Sequence, residues 1–221
     1  MQLSPECARV LGALVEKALT TPQQYPLTLN ALQAACNQTS NREPVVSYDE
    51  TTVQTALDEL KDQKLVRFVL PSHGRSVVRY RHVLHEALGL DDKQSAILAM
   101  LLLRGPQTIG ELRTRTERMA QFDSLDEVDH ELELLASLDE PLAANVGRRP
   151  GQKEERWTTL AVVGTASTPE TEMATPATDV AAAERTATTG SVDLRAEVDE
   201  LRAEVAGLRE EIQELRDSLG G

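Results

Sequence analysis

Four arginines fall within one short stretch of the chain: Arg67, Arg75, Arg79 and Arg81. Residues 66–70 and 76–83 alternate in polarity on either side of a Pro-Ser-His-Gly turn, which predicts a two-stranded hairpin. Alternation places Arg79 and Arg81 on one face of their strand. Such a compact cationic patch can contact phosphates. An edge strand protected by charged, solvated side chains explains the same residues equally well.

Polar side chains that can hydrogen-bond to base edges lie just before this hairpin, near the start of a predicted helix: Thr51, Thr52, Gln54 and Thr55. The same helix carries carboxylates, among them Asp58, Glu59 and Asp62, and each of them would oppose phosphates. The polar loop 37–45 adjoins the helix start, so we add Arg42 to the candidate contacts. The alternative interpretation is that loop 37–45 only links two helices, and that its Asn and Pro residues only set turns.

The sequence contains few of the residue patterns that are typical of enzyme active sites. The four histidines are scattered, and Cys7 and Cys36 lack metal-ligand spacing. No phosphate-binding glycine loop or nucleophile elbow occurs. The sequence therefore predicts no catalytic residue, no metal site and no cofactor, which indicates a protein that is not an enzyme. Two thiols among apolar neighbours, without a leader or a membrane-spanning segment, favour a cytoplasmic location.

The chain repeats itself. Eight positions recur 77 residues later, as the pairs Ser47/Ser124, Glu50/Glu127, Leu57/Leu134, Leu65/Leu142, Val69/Val146, Gly74/Gly151, Arg79/Arg156 and Tyr80/Trp157. Both copies contain apolar stripes of three helices followed by a hairpin, with predicted capping boxes at Ser47–Glu50, Thr108–Glu111 and Ser124–Glu127. We therefore predict a mainly α fold with small β-hairpins (α+β), made of two tandem winged-helix domains over residues 1–88 and 89–164.

The last part of the chain has a different composition. Residues 165–190 are dominated by Thr and Ala with two prolines, which predicts a disordered linker. Residues 191–221 carry apolar positions at spacings of four and three, which predicts a coiled coil: Leu194, Val198, Leu201, Val205, Leu208, Ile212, Leu215 and Leu219. β-Branched residues at a and Leu at d favour a parallel dimer with a second copy of the chain.

The charge is unevenly distributed. Residues 1–90 carry 9 basic and 9 acidic side chains, residues 91–164 carry 9 and 14, and residues 165–221 carry 5 and 13. In winged helices the third helix enters the major groove and the hairpin lies along the backbone or the minor groove. The neutral first domain is thus the predicted DNA contact. The third helix of the acidic second domain favours a protein partner, which keeps an interaction scaffold open as the alternative function.

A family resemblance rests on residues 21–32, on Cys36-Asn37-Gln38 and on the uninterrupted run Asn41-Arg42-Glu43-Pro44-Val45. Over about residues 3–164 the chain resembles the YceH family of bacterial proteins. The resemblance implies a tandem winged-helix fold without an established activity, often followed by a coiled-coil tail.

Overall fold

Helix starts in the first half are set by short polar side chains. The computed structural model describes residues 1–70, 77–148 and 151–162. Helix α1 (Pro5–Thr20) begins after Ser4, whose hydroxyl accepts the Cys7 N–H, and α2 (Leu29–Cys36) begins after Thr28. Helix α3 (Glu50–Asp62) is capped by Asp49, whose carboxylate accepts the Thr52 N–H at 2.7 Å. The predicted Ser47–Glu50 capping box is therefore wrong, because a nearer acceptor takes the cap position.

A small sheet closes the first half. Strands β1 (Leu27–Thr28), β2 (Val66–Val69) and β3 (Arg79–His82) form an antiparallel sheet in the order β1-β3-β2. A short helix, α4 (Leu84–Leu88), follows and ends at Gly89, whose φ of 71° suits glycine.

The second half repeats this order. It contains α5 (Asp92–Arg104), α6 (Ile109–Thr116), α7 (Leu125–Ala136) and the antiparallel pair β4 (Ala143–Arg148) and β5 (Glu155–Thr159). The capping box predicted at Thr108–Glu111 is present, and Ser124 caps α7. The described residues thus form a mixed α/β fold of seven helices and two small antiparallel sheets. No helix within them has the length and apolar character needed to cross a membrane.

Three different offsets relate the two halves. The 77-residue offset holds in the hairpins, where Tyr80 and Trp157 are both buried. The N-caps of α2 and α6, Thr28 and Thr108, are 80 residues apart, whereas those of α3 and α7, Asp49 and Ser124, are 75 apart. The segments that join these elements therefore differ in length between the halves.

The predicted equivalence of Leu57 and Leu134 is wrong. Leu57 is fully buried, whereas Leu134 is 38% exposed. The buried counterpart is Leu132, because the connection from α7 to its strand is two residues longer. The N–H of Leu65 bonds to the carbonyl of Leu60, and Leu142 bonds in the same way to Leu135.

The two halves share one core. All described residues belong to one compact unit, and α1 packs along α5 across the predicted 88/89 boundary. Gly12 allows this approach, because an added Cβ would lie 2.8 Å from Cγ of Leu103. The N-terminal segment also crosses to the second half, where the Leu3 N–H donates to the Ala161 carbonyl at 2.7 Å. The predicted linker and coiled coil lie outside the described residues.

Candidate nucleic-acid interface

The outer face of the β2–β3 hairpin is cationic. Arg67 pairs with Arg81 and Val69 with Arg79 across the strands, so these four side chains share one face. The other face points inward, where the rings of Phe68 and Tyr80 meet edge to face at 4.8 Å. The structure therefore brings three of the four predicted arginines together, and Arg75 lies outside the described residues.

Among the described residues, one carboxylate binds the two central arginines. Glu86 of α4 accepts from Arg67 at 2.7 Å and from Arg81 at 3.0 Å. The Arg67 and Glu86 side chains are 59% and 40% exposed. An exposed ion pair of this kind contributes about 0–1 kcal/mol, so an incoming phosphate can replace Glu86 at little cost. Within the described part of the chain, Glu86 balances one of the two positive charges of Arg67 and Arg81.

Arg79 takes part in a contact that occurs in both halves. Its guanidinium donates to the Pro26 carbonyl at 2.9 Å, and Arg156 donates to the Pro106 carbonyl at the same distance. Each proline lies two residues before the cap of the second helix in its half. Part of the Arg79 side chain therefore has a structural role, since it ties the hairpin to the start of α2.

The two halves differ in whether a carboxylate pairs with this arginine, which is Arg79 in the first half and Arg156 in the second. In the second half, Glu111 bonds to Arg156 at 2.9 Å. Burial alone would raise the pKa of Glu111, but the Thr108 N–H and the charges of Arg115 and Arg156 bring it below its ordinary value. The position equivalent to Glu111 in α2 is Ala31, which is exposed. Arg156 therefore has an acidic partner at this position, whereas Arg79 has none among the described residues.

The predicted helix contacts are only partly available. Thr51 and Thr55 are exposed on α3, and Thr52 is partly buried. Gln54 is held by two neighbours: it accepts the Tyr80 hydroxyl at 3.2 Å and donates to Asp58 at 3.3 Å. The other exposed side chains of this face are mostly acidic: Glu50, Asp58, Glu59 and Asp62. The helix therefore offers two free hydroxyls among carboxylates.

Arg42 is not a surface residue, which corrects the prediction for it. Its side chain is 0% exposed and binds Glu16 with both terminal nitrogens, at 3.2 and 2.6 Å. It also donates twice to the Ala35 carbonyl near the end of α2. A guanidinium with its donors occupied inside the protein holds the loop to α1 and α2, and it cannot reach a nucleic acid.

The second half presents a different surface. Arg148 faces Glu155 at 3.6 Å, and Lys93 pairs with Glu127 at the start of α7. Carboxylates line much of this helix, and Asp126 and Glu133 among them are exposed, as are the side chains of Leu125 and Leu134. Repulsion from phosphates makes this surface a poor partner for DNA.

The described residues contain no cluster of three or more His, Cys, Asp and Glu side chains that could hold a metal ion. Burial raises the pKa of Cys7 to about 11 and that of Cys36 to about 12. Both thiols are therefore protonated at neutral pH, and neither is an activated nucleophile.

Two features of this region escaped the sequence analysis. Glu86 was missed because it lies on a short helix outside the hairpin. The Ala31/Glu111 difference was missed because a single 77-residue offset does not align α2 with α6. A separate alignment on the Thr28 and Thr108 caps would have revealed it.

Comparison with known proteins places the chain in a family. The family model described as "Protein of unknown function, DUF480" matches residues 3–152. A UPF0502 protein of Koribacter versatilis is 51% identical over 156 residues, which cover 71% of this chain and 72% of the relative. A UPF0502 protein of Geobacter sulfurreducens is 53% identical over 152 residues, which cover 69% and 68%.

The chain therefore belongs to this family of bacterial proteins of unknown function. The family resemblance seen in the Asn-Arg-Glu-Pro-Val run is confirmed. The structure gives that run a physical role, since its arginine is the buried partner of Glu16.

Proposed function

We propose that the chain is a non-catalytic DNA-binding protein made of two winged helices, in which the first half contacts the DNA backbone. Three helices followed by a hairpin, in both halves, support the winged-helix assignment. In each half a short segment before the second helix also pairs with the last strand of the hairpin. In the first half this is β1 beside β3, and in the second half it is Gln107 beside Trp157.

The observation that carries this proposal is the outer face of the β2–β3 hairpin. It presents Arg67, Arg79 and Arg81, with Glu86 as the carboxylate that pairs with two of them. Guanidinium groups bind phosphate oxygens with two donors at once. Since phosphate contacts carry no sequence information, they supply affinity and orientation rather than selectivity.

The third helix adds little base recognition in this proposal. Thr51 and Thr55 are free to contact bases, while Gln54 is bound to Tyr80 and Asp58. The surrounding carboxylates oppose deep insertion of the helix into a groove. We therefore expect low sequence selectivity. A parallel coiled-coil dimer through residues 191–221 would raise affinity by avidity, and a flexible linker would leave the half-site spacing unconstrained.

A second function is favoured by α7. Leu125 and Leu134 are 49% and 38% exposed, and they lie on a helix rich in carboxylates. The carboxylates of this helix would attract a positively charged surface of another protein. The second half would then hold a basic protein partner while the first half holds DNA.

Fluorescence anisotropy with a labelled duplex of mixed sequence tests the DNA contact. The full-length chain is compared with an Arg67→Ala/Arg81→Ala variant at two salt concentrations, with Arg148→Ala as the control in the second hairpin. We expect salt-dependent binding that weakens about tenfold or more in the double variant, with a shallower salt dependence, and little change in the control. Equal affinities of the double variant and the control would refute the assignment.

A further inference from the structure

A polar cleft of about 520 Å³ lies where the two halves meet, apart from the hairpin face. One wall is formed by the end of α1 and the loop after α2, and the other by the end of α6. The volume lies within the range of small-molecule sites. Its lining is mostly hydroxyl, amide and charged groups, in contrast to the apolar pockets that hold hydrophobic ligands.

The charge of the cleft favours an anion. Lys17, Arg115 and Arg118 line it, and Glu16 is the acidic residue among the lining side chains. Glu16 is bound by the buried Arg42. Burial alone would raise the pKa of Glu16, but Arg42 and Lys17 together bring it below its ordinary value. Its negative charge is therefore neutralised from within the protein. Lys17 also pairs with Glu16 at 3.2 Å and Arg115 with Glu111 at 3.3 Å, so Arg118 is the lining cation without an acidic partner among the described residues.

The positions of two of these cations are explained by the helix ends on which they lie. Lys17 and Arg115 lie in the last turns of α1 and α6, where a positive charge offsets the carbonyl end of the helix dipole. Both also have partners, since Lys17 donates to Gln38 at 3.3 Å and Arg115 to Gln107 at 2.7 Å.

Arg118 has no such explanation. It lies beyond the end of α6, is exposed, and makes no hydrogen bond or ion pair with a residue of the described ranges. Its five N–H donors are available to a ligand in the cleft. A cation placed at the cleft without a structural partner is the observation that points to an anionic occupant.

The loop that forms one wall is held in place before any ligand arrives. Asn37 donates to the Tyr48 carbonyl and accepts the Tyr48 N–H, both at 2.8 Å. Arg42 fixes the other end of the loop on the Ala35 carbonyl. The amides of Gln38 and Asn41 therefore border the cleft on a preorganised segment, which lowers the entropic cost of binding.

We propose that this cleft binds a small phosphate-bearing ligand. Arg118 and Arg115 bind its phosphate oxygens by charge-assisted hydrogen bonds, Lys17 adds a third positive charge, and the loop amides contact the remaining polar groups. Because its walls come from both halves, the bound ligand bridges α1 and α6.

Isothermal titration calorimetry of the full-length chain with sodium pyrophosphate at low salt tests this proposal. The variant is Arg118→Glu, and the control is Lys153→Glu, which makes the same change in net charge at an exposed position outside the cleft. We expect pyrophosphate to bind the unaltered chain, and Arg118→Glu to weaken binding about tenfold or more. Lys153→Glu should change the affinity less than about twofold.

Two further measurements make the outcome decisive. Thermal unfolding without ligand should give Arg118→Glu an unchanged melting temperature, because Arg118 has no partner to lose in the part of the chain that the structure describes. Duplex-DNA affinity should also stay unchanged in this variant. The proposal is overturned if millimolar pyrophosphate does not bind, if Lys153→Glu weakens binding as much as Arg118→Glu, or if DNA affinity falls in parallel. The last result would assign the cleft to nucleic acid.

Discussion

Arginines in this chain have opposite roles according to burial. Arg42 is enclosed with Glu16, whereas Arg67 and Arg81 share one exposed carboxylate. Sequence alone favoured a surface role for all of them, because charged side chains are seldom buried. The partner of Arg42 lies 26 residues earlier on a different helix, and no local pattern indicates that contact.

We predict that Arg42→Ala destabilises the fold strongly. Removal of the guanidinium leaves the Glu16 carboxylate buried without its partner, which costs about 3–5 kcal/mol of unfolding free energy. Urea denaturation measures the loss. Arg67→Ala is the matched control, because its exposed ion pair contributes about 0–1 kcal/mol. Similar losses in the two variants would contradict the structural role of Arg42.

His82 should make stability depend on pH. Burial, followed by the charge of Arg81, lowers its pKa from 6.5 to about 4. Between these values the unfolded chain binds a proton that the folded chain does not, so stability is full above pH 6.5 and falls as the pH drops toward about 4. His82→Asn should flatten this dependence in urea titrations. An unchanged pH dependence in His82→Asn would contradict the assignment.

At the scale of elements, local signals predicted most helices and strands. Thr108 and Glu111 lie at the spacing of a capping box, and the structure contains it. Prediction failed where two caps compete, as at Ser47 and Asp49, since only the packing of α3 decides between them. The short β1 strand was missed because two residues carry no periodic pattern.

The crossing of α1 and α5 depends on Gly12. Alanine normally stabilises a helix interior by about 0.5–1 kcal/mol relative to glycine. Here the new methyl would lie 2.8 Å from Leu103 and 3.3 Å from the Ala99 carbonyl oxygen. We therefore predict that Gly12→Ala destabilises by about 1–3 kcal/mol. Gly110→Ala in α6 has room, since its nearest neighbour is 4.0 Å away, and should be neutral or stabilising. Chemical denaturation of both variants checks the contrast, and a stabilised Gly12→Ala would rule out close packing.

At the scale of the molecule, the repeat was visible in the sequence, but the way its copies pack was not. The recurring 77-residue spacing shows that two copies exist, but it does not show which helix faces of the two copies pack together. The buried apolar residues of α5 extend over almost its whole length, more than one half needs for its own core. Packing against α1 of the other half accounts for the additional burial, and that contact joins residues far apart in the chain.

The shared core predicts cooperative unfolding. If α1 and α5 stabilise each other, neither half retains its structure when the other unfolds. Calorimetry of the full-length chain should show a single transition for residues 1–162, with equal calorimetric and van't Hoff enthalpies. Two resolved transitions from this part of the chain would show that the halves are independent domains.

The claim that the first half binds DNA rests on arginines that are not neutralised, and Ala31→Glu tests it without removal of an arginine. Glutamate at this position should complete a capping box with Thr28 and pair with Arg79, as Glu111 pairs with Arg156. Ala31→Gln keeps the cap without the charge and is the control. In duplex-DNA anisotropy at low salt we predict that Ala31→Glu weakens binding about five- to tenfold, while Ala31→Gln binds like the unaltered chain. Equal affinity of all three proteins would contradict the proposal that this face of the first half contacts DNA.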